Sequence, residues 1–79
     1  MESQISFKWL EDYLRIAIKY SRYPTSTIAK EVGIARSGVY AFMNGDNHIS
    51  IINGDKILSY LNKNDKEALE IAEATMSLK

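Results

Sequence analysis

The chain has no cysteine, one proline, one histidine and no apolar run near membrane length. Without cysteine there can be no disulfide staple and no thiolate metal site. A lone histidine with no carboxylate cluster beside it does not make a zinc site. A membrane span needs roughly 20 apolar residues in a row, and an export signal needs a basic stretch followed by an apolar one. Neither pattern is found, so a cytoplasmic location is expected. Glycine is sparse too: the four glycines stand singly, which leaves no glycine-rich phosphate loop. At 79 residues the chain has room for one domain, residues 1–79. A chain this short buries only about 60–65% of its unfolded surface, enough for a small core and too little for a deep catalytic cavity. No catalytic residue, metal or cofactor is expected, and an enzyme is not.

No segment alternates with period two long enough to form a strand, and helical spacing recurs throughout. An all-α fold of five helices is therefore expected. The first covers residues 6–20 with Ser6 as N-cap, and carries one stripe of Phe7, Leu10, Leu14 and Ala17 and a second of Trp9, Tyr13, Ile16 and Tyr20. Residues 21–24 break it, because Pro24 disfavours helix at the residue before it. A loop is expected at 46–49. The fourth helix covers residues 50–61, with Ile51, Ile57, Leu58 and Leu61 inward. Asn53-Gly54 conflicts with it, and a start at Asp55 is the alternative. Asn64 with Glu67 offers a capping box for the fifth helix, about residues 65–76, with Ala68, Leu69, Ile71, Ala72, Thr75 and Met76 on its apolar side.

The stretch from Thr25 to Gly45 carries the most information. Ile28, Ala29 and Val32 give one helix an apolar face, and Gly33 stops it, since positive φ is easiest for glycine. Ile34 plugs the turn. Val39, Phe42 and Met43 form the buried face of a second helix, which Gly45 ends in the same way. Arg36, Ser37, Gly38, Tyr40 and Asn44 remain outside, a set that can donate, accept and stack. His48 reads as a loop histidine without a special role.

This segment resembles the helix-turn-helix of the phage lambda-repressor and Cro-like (XRE) family. Ala29, Gly33 and Val39 keep that family's spacing, and Ser37-Gly38-Val39-x-Ala41-x-x-Asn44-Gly45 is similar to its recognition helix. The resemblance is tight over about twenty residues and only organisational elsewhere. It implies a compact lambda-repressor-like DNA-binding domain with the helix-turn-helix at helices 2 and 3. It also implies a transcriptional regulator, of the phage repressor type, whose third helix enters the major groove of double-stranded DNA. Carried onto matching positions, Arg36 and Ser37 become base contacts and Tyr40 a thymine-methyl or phosphate contact. Asn44 and Asn47 become polar contacts, and Thr25 and Ser26 hold a phosphate at the start of helix 2. Ser50 and Asn53 extend the backbone contacts.

Each residue also has a plainer reading. Arg36 can pair with a phosphate or with Glu31, and Ser37, Thr25 and Ser26 can cap helices. Asn44 can be a C-terminal cap, and Asn47 can stabilise its own turn. Two departures stand out: MESQIS has no base where the family has a basic arm, and Ala35 is a poor N-cap for helix 3.

Net charge is zero, but its distribution is uneven. Between Arg15 and Asn44, five bases (Arg15, Lys19, Arg22, Lys30, Arg36) face one acid, Glu31, leaving +4 where phosphate contact is expected. The acidic flanks compensate. A homodimer through helix 5, on its Ile71, Thr75 and Met76 side, is expected to read two half-sites. The alternative is a protein-interaction module on the same fold, an antirepressor, adaptor or inhibitor, motivated by the neutral charge and the missing basic arm.

Overall fold

The structure, a computed structural model, describes residues 2–78, with side chains from Lys8 to Leu78. Five helices and no strand form the described chain: α1 (Glu2–Tyr20), α2 (Thr25–Val32), α3 (Arg36–Met43), α4 (Ile51–Asn64) and α5 (Lys66–Ser77). The first begins four residues before the expected start at Ser6. No proline or glycine precedes Ser6 to stop the helix from extending. The side chains of Ser6 and Phe7, expected as cap and stripe, lie outside the described set.

The core draws on every helix. Leu14, Ala17 and Ile18 of α1 meet Ile28 of α2, Phe42 of α3, Ile57 and Leu61 of α4, and Leu69 and Ala72 of α5. Full burial of side chains such as Phe42 or Leu14 stabilises by about 1.5–3 kcal/mol each relative to exposure. Along α1, Trp9 stacks on Tyr13 with centroids 5.1 Å apart, while Trp9 and Tyr20 stay exposed at the ends of the second stripe. The last helix runs back along the first. Arg22, just past the end of α1, pairs with Asp65 and Glu67 beside the start of α5, and Tyr13 shares a hollow with Glu73 further along.

Three expectations are corrected here. The fourth helix starts at Ile51 and continues through Asn53-Gly54, with Ser50 as N-cap accepting the Asn53 N–H at 3.1 Å. Gly54 is buried: a Cβ there would meet Leu14 Cδ1 at 3.3 Å, so the missing side chain lets α4 approach α1. Ile51 does not face the core but is 69% exposed. Ile49, from the preceding loop, is buried beside Gly54 and fills the place expected for Ile51. Finally, α4 extends to Asn64, and Asp65 rather than Asn64 precedes α5. The amide of Asn64 donates to the Tyr60 carbonyl of its own helix instead of capping the next one.

On α5, Ala68, Leu69 and Ala72 are buried, Thr75 and Met76 are half-buried, and Ile71 is exposed. The uncovered face of this helix is therefore narrower than its sequence pattern suggests. No helix among the described residues is long and apolar enough to cross a membrane.

Candidate nucleic-acid interface

Glycine geometry fixes both ends of the α2–α3 unit. Gly33 has φ +78°, and the Ile34 N–H reaches the Ala29 carbonyl at 2.9 Å while the Gly33 N–H reaches Lys30. The pattern repeats after α3, where Gly45 has φ +84°, the Asp46 N–H reaches Ala41 and the Gly45 N–H reaches Phe42. Both are Schellman closures, which satisfy carbonyls that a helix end leaves free. Ala29 is buried, and Val39 and Phe42 anchor α3 in the core.

The helix starts differ from the ends. Pro24 stands at the N-cap of α2 and Ala35 at that of α3, and neither offers a side-chain cap. Thr25 and Ser26 are thus the first helical residues of α2 rather than its cap. Amide N–H groups in the first turn of both helices are left without a side-chain acceptor, which suits an anion.

The outer face of α3 carries Arg36, Ser37, Gly38 and Tyr40, followed by Asn44, all exposed. A hollow of about 340 Å³ between Ser26, Thr27, Lys30, Ile34 and Arg36 joins the start of α2 to the start of α3. On the other flank, Gly38 shares a second hollow with Asn47, His48, Ser50 and Asn53. Thr25, Tyr40 and Asn44 line neither of these hollows. Arg36 makes no ion pair with Glu31 among the described residues.

The basic cluster is more occupied than its sequence suggests. Arg15 Nε donates to the Phe42 carbonyl at 2.8 Å, its guanidinium lies 4.4 Å over the Phe42 ring, and Asp12 pairs with it at 3.4 Å. Arg22 is drawn to Asp65 and Glu67, and the Lys19 ammonium sits over the Tyr20 ring. The acidic flanks thus fold back onto the basic segment. Of the five bases, Lys30 and Arg36 are the two that line the hollow beside α3.

Two buried acids do work that the sequence reading did not assign. Glu11, 4% exposed, accepts the Ile49 N–H at 3.1 Å and lies 3.0 Å from His48 Nδ1 through each carboxylate oxygen. Burial favours its neutral form, but the hydrogen bonds from His48 and Ile49, with the nearby His48 and Arg15 charges, outweigh that and hold its pKa below the ordinary value. Asp65 accepts the Ser21 hydroxyl at 2.8 Å and the Arg22 N–H at 2.9 Å. Burial again opposes ionisation, and these bonds and the Arg22 charge lower its pKa. His48 is therefore not an idle loop residue. One signal was available: Glu11, Leu14 and Ile18 share a 3–4 spacing, which puts an acid on a buried stripe where it must be paired.

No family model, curated protein or solved structure matches the chain.

Proposed function

We propose that this chain is a sequence-specific double-stranded DNA-binding transcriptional regulator with a lambda-repressor-like arrangement, and that α3 enters the major groove. An α-helix with its side chains is about 10–12 Å across, which the major groove, about 12 Å wide, admits. Arg36 and Ser37 at its start, with Tyr40 one turn on, read base edges. Thr25 and Ser26 on one flank, and Asn44 and Asn47 on the other, hold phosphates.

Gly38 carries the reading. It is the third residue of α3, on the exposed side, where glycine is a poorer helix former than alanine by up to about 1 kcal/mol. A Cβ at Gly38 would meet nothing within 4 Å, so no internal contact requires its absence. A bare backbone in the first turn of the outward face is explained when another surface comes close there.

A second reading, a protein-interaction module, is favoured by Ile51 and Ile52, 69% and 71% exposed on the first turn of α4. Homodimerisation through Ile71, Thr75 and Met76 of α5 belongs to the first reading and places two copies on half-sites about 34 Å apart.

Selection from a pool of random duplexes tests the function. It should enrich one motif, bound more weakly as salt rises, with a shallow slope set by few phosphate contacts. A pool that stays random at low salt rejects the DNA reading. Retention of activity by an Arg36→Ala, Tyr40→Ala double variant, with loss in Ile51→Glu, supports the module instead.

A further inference from the structure

We propose that Glu11 and Arg15 of α1 are positioning residues for the DNA-facing surface, fixing both ends of loop 44–49 so that Asn44 and Asn47 stay in register with α3. The part concerning DNA rests on the functional reading above; the part concerning the loop does not.

The two residues stand one helical turn apart on α1 and reach opposite ends of the same loop. Arg15 takes the Phe42 carbonyl, which also accepts the Gly45 N–H that closes α3. Glu11 takes the Ile49 N–H and the His48 ring at the far end. Between these ties, residues 44–48 are all exposed, and Ile49 is the loop's one buried side chain. A segment with so little apolar burial has little to offset the entropy of holding one conformation. Nor is a buried charge an efficient source of stability, since apolar replacements of buried ion pairs are often neutral or stabilising. What a buried carboxylate supplies is direction. Its two oxygens accept from two consecutive residues and set the orientation of the chain just after Asn47. Arg15 does the same before Asn44, with its planar group held between the Phe42 ring and Asp12. Asn47, two residues before Ile49, is thereby kept on the wall of the hollow that it lines with Gly38, Ser50 and Asn53.

The test uses Glu11→Gln, which keeps the shape but leaves one amide oxygen for two donors. In the free protein, amide exchange followed by NMR should show protection at Ile49 falling at least tenfold while Leu61 in α4 is unchanged. Unchanged protection at Ile49 overturns the proposal. Should Glu11→Gln fail to fold, Arg15→Met keeps the stem over Phe42 and removes the donor; faster exchange at Gly45 and Asp46 is then expected, and no change overturns the proposal.

On the selected duplex, Glu11→Gln should weaken binding several-fold in fully folded protein. It should add nothing in an Asn47→Ala background, while its effect should multiply with that of Arg36→Ala. An effect that multiplies equally in both backgrounds does not act through Asn47 and overturns the positioning role. If the wild-type chain binds no duplex, the functional reading fails, and the exchange measurement still decides whether the loop is held.

Discussion

The turn before α3 and the loop after it open on the same backbone motif and are then held by different means. In the first, Gly33 turns the chain, Ile34 plugs it, and α3 starts two residues later at Arg36. Every bond that shapes it joins residues at most five apart. In the second, Gly45 makes the same turn, but the chain must travel on to Ile51, and it is tied down by α1. The difference follows from length: a three-residue turn is closed by its own backbone, whereas a longer loop needs partners elsewhere. Where the partners are charged and buried, the loop gains a defined direction along with its restraint.

Substitution can break this contrast, and the largest effect should come from the long loop. Glu11→Ala leaves the Ile49 N–H without its acceptor and should cost about 2–3 kcal/mol, read as a lower urea midpoint. A loss within a few tenths of a kcal/mol would mean that the loop needs no tie to α1.

The same residue gives the contrast a pH dependence. Glu11 and Asp65 have folded-state pKa values below their ordinary ones. The unfolded chain therefore takes up protons first as pH falls. Their stabilisation is full above the ordinary carboxylate range, as at pH 7, and is lost as pH drops through the folded values. Urea midpoints of the wild type should fall from pH 7 to pH 3, and those of Glu11→Gln should fall less. Parallel declines would contradict the assignment.

Gly33→Ala and Gly45→Ala should each cost about 1–2 kcal/mol, because both place a Cβ at positive φ. The two losses should be similar, since the motif is shared although the restraint is not. A much smaller loss at Gly45 would show that the α1 ties alone shape the loop. The smallest effect has the opposite sign. Ala35→Ser supplies the missing N-cap of α3 and should stabilise the protein by about 1 kcal/mol, seen as a higher Tm.

What was legible in the sequence follows the same division. The helix stops at Gly33 and Gly45, the buried face of Val39 and Phe42, the Ile34 plug and the uncapped start at Ala35 all depend on neighbours within one or two turns. They were read directly. The ties of Arg15 to Phe42, Glu11 to Ile49 and Ser21 to Asp65 span 27, 38 and 44 residues. No local pattern names such partners. For that reason Arg15 reads only as one of five bases in the positive segment, and His48 as an idle loop residue. The displacement of Ile51 by Ile49 has a similar origin: both are isoleucines beside a helix start, and only the path of the loop decides which one enters the core. Among the site residues, exposure of Arg36, Ser37, Tyr40, Asn44 and Asn47 followed from helical periodicity and turn chemistry. The hollow that joins Ser26 to Arg36 depends on how α2 and α3 cross.

Gly38 offers the most direct measurement, because folding and the proposed docking on DNA pull it in opposite directions. Gly38→Ala should raise stability by up to about 1 kcal/mol, because alanine is the better helix former at an exposed position of α3 where its Cβ meets nothing. On the selected duplex its affinity should fall about tenfold, since a methyl group forced into a close-fitting contact costs about 1–3 kcal/mol. Higher stability with unchanged or tighter DNA binding would contradict the docking of α3 in the groove.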